Sequence, residues 1–245
     1  NCEWIMNINK NCKLFMRDLY LYDISACHYT IMENLGFDLS KIDKQNKEKR
    51  NIQIGLLMKD NPKLTSILRT TTNSLIDEYL VRNEISEDDL IIRQYDGIIT
   101  KKALKESNQF IPLELRSIYQ VMIISFNRNM YIANDGTSVV IKGVPHRYES
   151  IDNIYKEIVS INYLNKESIF RSLQNIKNKI LSSDDASLYC IPTSEDKYAV
   201  FFKQYGQLEV SKSMARVMDT EDIDKKYYFN YYIEPFTKSI TVEFV

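Results

Sequence analysis

The sequence predicts an α+β fold built on an antiparallel sheet, with a short pair of helices between its strands. Three observations support this prediction. Several β-like runs are neighbours along the chain and are joined by turn signals, as antiparallel strands are. The helical patterns are grouped between and after these runs. Only six glycines and five prolines interrupt the 245 residues, which favours long regular elements and few flexible linkers.

The first elements are a strand and a short helix. Residues 14–25 (LFMRDLYLYDIS) are rich in aromatic and aliphatic side chains, which predicts a strand that ends at Asp23. The next stretch, 26–35, is typical of a helix stopped by Gly36.

A helical hairpin and then a β-hairpin follow. From Lys44 to about Asn61, the apolar residues Ile52, Leu56 and Met58 recur among charged residues with helical spacing. Pro62 is suited to the first turn of a second helix, which we expect to reach about Tyr79. The run DDLIIRQYDGIITKK then predicts two short strands that turn at an Asp-Gly pair, the strongest short hairpin signal.

The second half begins with strands and continues with a long helical pattern. Runs 115–126, 129–133 and 138–142 are β-like, with a turn at 134–136, and 150–181 is predicted to be helical. The polar residues 182–185 are the best internal break. Beyond them we expect a β-rich piece that includes KYAVFFKQY and the aromatic run YYFNYYIEPF.

Composition limits the class of protein. A hydrophobic fraction of 44% is enough for a sizeable core, and 32 basic against 33 acidic residues mean that any polyanion must be bound by a local patch. The four cysteines lack the spacing of a zinc site or a disulfide scaffold, so we expect reduced thiols. No run has the roughly 18 apolar residues of a spanning helix. These features favour a cytoplasmic protein without a membrane partner.

Two aspartates are candidates for a metal site. Asp23 lies at the end of the first strand, and Asp96 lies at the tip of the β-hairpin. Carboxylates that project from adjacent strands are the ligands with which Mg²⁺ is held for nucleotidyl transfer. The alternative is that Asp23 caps the following helix and Asp96 only makes the turn.

The first 150 residues resemble the palm of family B DNA polymerases in four motifs. DISACHYTI, from Asp23, is similar to the first motif of the family, and KEKRNIQIG matches the lysine, asparagine and glycine spacing of the second. QYDGI resembles the third motif, with Asp96 in the place of its second aspartate. RNMY and KGV resemble later elements that lie along the primer-template duplex.

The resemblance implies a role for each matched residue. Two Mg²⁺ ions, with Mn²⁺ as a substitute, would be held by the catalytic aspartates Asp23 and Asp96 and by the carbonyl of Ile24. The nucleotide-binding residues would be His28, Lys47, Asn51 and Gly55. The DNA-binding residues would be Arg128, Tyr131, Lys142 and Gly143. From the residues alone, Lys47 also fits a solvated helix face, and Gly55 also fits close helix packing.

The sequence departs from the family pattern in several places. His28 replaces the tyrosine that screens the sugar 2′ position in the family, and Tyr29 replaces a proline. Gln94 stands where the first aspartate of the third motif is expected. Lys47 lies only 24 positions after Asp23, so we expect the fingers to be stunted, or completed by another polymerase subunit or an N-terminal segment.

The resemblance therefore implies a viral or mobile-element DNA polymerase core that binds primer-template DNA and deoxynucleoside triphosphates. We expect a palm over residues 1–149, with fingers at about 41–82, and a thumb-like region over 150–245. Two alternatives remain open. One is a polymerase-like scaffold or nucleic-acid-binding subunit that has lost catalysis, and the other is a structural protein with accidental motif matches. The aromatic cluster within 227–232 fits base stacking or a core.

Overall fold

The computed structural model describes residues 5–8, 14–105, 111–125, 129–144, 149–194, 196–215 and 217–244. The strands are β1 (Ile5–Ile8), β2 (Leu14–Phe15), β3 (Leu19–Ile24), β4 (Leu90–Gln94), β5 (Gly97–Thr100), β6 (Leu113–Tyr119), β7 (Val121–Ile124), β8 (Tyr131–Asn134), β9 (Val139–Lys142), β10 (Ile191–Pro192), β11 (Lys197–Phe202) and β12 (Gly206–Ser211). The α-helices are α1 (Cys27–Asn34), α2 (Lys47–Asp60), α3 (Pro62–Arg82), α4 (Glu149–Val159), α5 (Lys166–Ser182), α6 (Lys212–Ala215), α7 (Lys225–Tyr228) and α8 (Glu234–Phe244).

The chain divides into two compact units. The first unit comprises Asn1–Asn9 and Asp18–Ile118, and the second comprises Lys10–Arg17 and Tyr119–Val245. This division falls near residue 118 and not at the expected boundary of 149, because β7, β8 and β9 share the hydrophobic core of the helices that follow them. The assignment of palm and thumb to parts of the chain stays a prediction.

The first unit is built on a five-stranded sheet with the order β1-β4-β5-β3-β6. The pairs β1–β4, β4–β5 and β3–β5 are antiparallel, so the predicted α+β class with an antiparallel sheet is confirmed. The predicted hairpin is also confirmed, with its turn at Tyr95 and Asp96 between β4 and β5. The isoleucines of these two strands are fully buried.

Helices α2 and α3 form the predicted hairpin, and side-chain caps explain its boundaries. The side chain of Asn46 accepts a hydrogen bond from the N–H of Lys49 at the start of α2. Asn61 caps α3 in the same way, and Pro62 follows it at the first helical position. The buried face of α2 differs from the expectation, since Ile54 is buried while Ile52 and Leu56 are more than half exposed.

The second unit contains the four-stranded sheet β2-β7-β8-β9 and the three-stranded sheet β10-β11-β12. The run predicted as one strand over 115–126 is two strands in different sheets, β6 and β7. The turn after β8 is confirmed, because the carboxylate of Asp135 accepts hydrogen bonds from the N–H groups of Thr137 and Ser138.

Two predictions for the second unit are corrected. The helical region over 150–181 is two helices, and the side chain of Asn165 accepts a hydrogen bond from Ser168 to cap the second one. The aromatic run YYFNYYIEPF was expected in a β-rich piece, but it is helical, with a π-helical turn at Phe229–Ile233 between α7 and α8. Packing overrides the β propensity here, since Tyr228, Phe229 and Tyr232 are buried in the core.

Within the described part of the chain, the helices are too short or too polar for any of them to cross a membrane.

Candidate active site

A cleft of about 600 Å³ in the first unit brings together most of the predicted site residues. Its walls come from the end of β3, the start of α1, one face of α2, the turn between β4 and β5, and β6. The predicted residues that line it are Asp23, Ile24, His28, Lys47, Asn51, Gly55 and Asp96. Seven residues spread over 74 positions of sequence therefore meet in one place.

The two aspartates come together because β3 pairs with β5. Asp23 lies opposite Gly97 in this antiparallel pair, and the N–H of Ile24 donates a hydrogen bond to the carbonyl of Asp96 at 2.8 Å. A side chain at Gly97 would collide with the carbonyl of Tyr22, so the close approach of the strands requires glycine. Asp23 does not cap α1, because Ala26 is the N-cap residue of that helix and makes no side-chain cap.

The environment of Asp23 disfavours its negative charge. Burial, followed by the negative charge of Asp96, raises the pKa of Asp23 to about 6, although Arg116 and Lys47 act in the opposite direction. A carboxyl group in a cleft with a strongly shifted pKa is a common property of functional sites. Because the charge of Asp96 contributes to the raised pKa of Asp23, the two carboxylates are close enough to repel each other.

Arg116 on β6 is the cation nearest to Asp23 among the ion pairs of the described residues. Its Nε atom lies 3.8 Å from a carboxylate oxygen of Asp23, and its Nη1 atom lies 2.9 Å from a carboxylate oxygen of Glu114. Glu114 and Arg116 share a face of β6 because they are two residues apart, and β6 lies beside β3 in the sheet. The order of the strands in the sheet therefore places this arginine at the cleft.

The link between β3 and α1 is tight and places His28. Ala26 adopts a left-handed conformation with φ of 47°, which is unfavourable for a residue with a side chain. One residue into the helix, His28 Nε2 lies 3.0 Å from the hydroxyl of Tyr95 in a hydrogen bond, with the two rings edge to face. Burial lowers the pKa of His28, so its imidazole is neutral at pH 7.

Helix α2 contributes the opposite wall. Lys47 is its first residue, and Asn51 and Gly55 follow at intervals of four, which places all three on one face. Lys47 is close enough to Asp23 to lower its pKa. A side chain added at Gly55 would meet no described atom within 4 Å, so close helix packing does not explain this glycine.

The residues predicted to bind DNA belong to the second unit or lie outside the described residues. Arg128 is outside them. Lys142 is exposed at the end of β9, and Gly143 follows with φ of 77°. Tyr131 is fully buried in β8, and a side chain without exposed surface cannot contact a duplex in this conformation.

Among the lining residues that were not predicted from the sequence are Arg50, Tyr95 and Arg116. Arg50 is three residues after Lys47, so helical spacing alone puts it near the same face. Tyr95 lies inside the QYDG match. Arg116 lies within the run predicted as a strand over 115–126, but the sequence carried no signal that it would line the cleft.

The cleft offers carboxylate oxygens from Asp23 and Asp96, together with the side chains of His28, Asn51 and Tyr95. In the described residues no group of three or more histidine, cysteine, aspartate or glutamate side chains is arranged to hold a metal ion. Cys27 and Cys190 are buried free thiols. Burial raises the pKa of Cys27 to about 12, which makes it a poor ligand. Among the described residues that line the cleft, the acidic ones are Asp23 and Asp96.

Comparison with known proteins supports a polymerase-like fold. No protein-family model matches the chain, and no curated protein matches it in sequence. Among solved structures 27 chains match. One is the family B DNA polymerase from the hyperthermophilic archaeon Pyrobaculum calidifontis, with a TM-score of 0.51 and 10% identity over 94% of this chain. The chain matches 46% of the length of that polymerase.

Proposed function

We propose that this chain is the catalytic core of a template-directed DNA polymerase. The observation that carries the proposal is the pair Asp23 and Asp96, which line one cleft from the end of β3 and from the turn before its neighbour β5, together with Lys47 at the start of α2. The fold of the archaeal polymerase described above supports the same class of protein. The reaction would be attack of a primer 3′-hydroxyl on the α-phosphorus of a nucleoside triphosphate, with release of pyrophosphate.

The cleft fits a pair of Mg²⁺ ions by the chemistry of its donors. Mg²⁺ prefers oxygen ligands and keeps several positions for water and substrate phosphates, so two carboxylates and one carbonyl are a suitable protein contribution. Burial and repulsion from Asp96 disfavour the ionised form of Asp23, and a bound cation would favour it. Asp23, Asp96 and the carbonyl of Ile24 would hold the ions, which activate the attacking hydroxyl and stabilise the leaving pyrophosphate.

The remaining cleft residues would bind and orient the nucleotide. Lys47 offers a point charge to the triphosphate, and Asn51 lies one turn further along the same face. Gly55 leaves open space where a base pair could approach the helix. His28, held by Tyr95, would face the sugar.

Primer-template DNA is the proposed partner of both units. In the second unit, exposed Lys142 is suited to a phosphate contact, and such contacts position the protein without reading sequence. Arg128 and Gly143 would act along the same duplex. A further polymerase subunit or an additional segment is the proposed source of longer fingers.

Primer extension tests the proposal. The full chain is incubated with a labelled primer-template, the four deoxynucleotides and either Mg²⁺ or Mn²⁺. We expect extension with the wild type and a loss of at least about a hundredfold in Asp96→Asn, because one metal ligand is removed. Asp88→Asn is the matched control, since Asp88 is an exposed aspartate of the same unit that does not line the cleft.

Two results would contradict the proposal. The first is a wild type that binds the primer-template but does not extend it with either ion. The second is full activity in Asp96→Asn. Circular dichroism of the variant would show whether the loss arises from the site or from unfolding.

A further inference from the structure

Arg116 has two acidic neighbours and binds them unequally. Its guanidinium makes a 2.9 Å ion pair with Glu114 and a looser 3.8 Å contact with Asp23. The side chains of Arg116 and Asp23 are both exposed by more than a third, so their contact is open to solvent and can rearrange. The ion pair with Glu114 is therefore the closer of the two, and the contact with Asp23 is the one that is more easily lost.

The position of Arg116 matters because a nearby positive charge favours the ionised form of Asp23. Burial and the neighbouring Asp96 work against ionisation of Asp23, and Arg116 is the strongest of the charges that favour it. A divalent cation bound to the two aspartates would supply the same compensation at the same carboxylate. Arg116 and the cation would then repel each other across a few ångströms.

We propose that Arg116 is a resident counter-ion of Asp23 that a divalent cation must displace, and that Glu114 retains the arginine when this happens. The inference rests on the proposed function, because it assigns Asp23 as a metal ligand. Arg116 is in this sense a positioning residue. Without a bound cation it keeps the carboxylate in place, and it weakens metal binding until substrate phosphates add further ligands.

Direct metal binding tests the inference without any need for catalysis. Mn²⁺ is titrated into the full chain without nucleotide, and free Mn²⁺ is followed by electron paramagnetic resonance. In Arg116→Gln the competitor is lost, so we expect the dissociation constant to fall about two- to fivefold, the range of an exposed ion pair. Arg116→Lys keeps the charge but not the planar fork, and we expect a smaller change. Arg82→Gln, an arginine of the same unit outside the cleft, is the control and should bind as the wild type does.

A double-mutant cycle isolates the role of Glu114. Glu114→Gln releases Arg116 fully to Asp23, so Mn²⁺ should bind more weakly than in the wild type. If Glu114 acts through the arginine, most of that weakening should disappear when Glu114→Gln is combined with Arg116→Gln. An undiminished effect in the double variant would show that Glu114 acts on the metal directly, and would overturn this part.

The outcomes separate the inference from the proposed function. Unchanged or weaker Mn²⁺ binding in both Arg116 variants, in a protein that extends primers, overturns the inference alone. Tighter binding in Arg116→Gln, in a protein that binds Mn²⁺ through Asp96 but never extends a primer, overturns the polymerase proposal alone. A wild type that binds no Mn²⁺ overturns both.

Discussion

The two units of this chain differ in the side chains that their strands and helices bring together. In the first unit, the end of β3 and the hairpin turn hold two aspartates, an arginine and a histidine around an open cleft. In the second unit, aromatic rings pack into the core: Phe236 is fully buried against Tyr155, and Tyr228 lies edge to face with Tyr189. Charged side chains thus line the cleft of the first unit, and buried aromatic rings pack in the core of the second.

This difference separates function from structure. Burial disfavours the ionised form of Asp23, and a positive φ is an unfavourable backbone conformation for Ala26. Such unfavourable features persist where something other than folding requires them. The aromatic cluster of the second unit shows no such cost. Tyr228, Phe229 and Tyr232 are core residues and are not exposed for stacking on bases, whereas Tyr227 and Tyr231 are partly exposed.

Removal of a core ring should give the largest effect on stability. Phe236→Ala deletes a ring with no exposed surface that contacts Tyr155 edge to face at 5.3 Å. We expect a loss of about 3–5 kcal/mol in the free energy of unfolding, measured by urea denaturation. Tyr205→Ala is the control, because Tyr205 is 71% exposed in the same unit and should change stability little. A small effect for Phe236 would mean that the second unit does not depend on its aromatic core.

Removal of a cleft cation should act on substrate binding and leave the fold intact. We expect Lys47→Ala to raise the Michaelis constant for the nucleotide about tenfold, because a charge that serves the triphosphate is lost. Lys59→Ala, at the other end of α2 and outside the cleft, should behave as the wild type. Steady-state kinetics on a primer-template decide between the two. An unchanged constant with normal turnover would return Lys47 to a solvated helix face.

Neutralising Asp23 should stabilise the protein while it removes activity. Burial and the charge of Asp96 raise the pKa of Asp23 from its ordinary 3.8 to about 6, so the folded state keeps a proton that the unfolded state releases between these pH values. The contribution of Asp23 to the free energy of unfolding should therefore fall as pH rises from about 4 to 6. Because Asp23 is partly exposed, we expect Asp23→Asn to gain on the order of 1 kcal/mol at pH 7, or about 2–4 °C in Tm.

The same experiment contains its own control. At pH 4 the two proteins should melt at nearly the same temperature, since Asp23 is then protonated in the folded wild type. A variant that is less stable than the wild type at pH 7 would show that Asp23 supports the fold, and the contrast between the units would be lost.

The smallest effect concerns the sugar. The imidazole of His28 is smaller than a tyrosine ring and is fixed by Tyr95, so a ribose 2′-hydroxyl should be rejected only weakly. We expect His28→Tyr to increase discrimination against ribonucleotides a few-fold, within the roughly 1–3 kcal/mol that a small steric difference gives. Incorporation of matched deoxy and ribonucleotides measures the ratio. Equal ratios in the two proteins would mean that His28 does not face the sugar.

The sequence alone determined the features that depend on near neighbours. The hairpin follows from the Asp96-Gly97 pair. The two caps at Asn46 and Asn61 and the turn at Asp135 follow from side chains that bond within three residues. The aspartates Asp23 and Asp96 could be proposed as a pair from the motif matches, and the sheet register then placed them side by side.

The tertiary structure alone decided which strands pair, which helix faces are covered and where the aromatic run goes. Residues 115–126 have one continuous β-like pattern, yet β6 joins the sheet of the first unit and β7 that of the second. The aromatic run near the end of the chain has strong β propensity but is helical, because its rings pack into a core formed by distant residues. Arg116 reaches Asp23 only through the position of β6 beside β3. Such partners are far apart in sequence, and propensity and periodicity report only on neighbours.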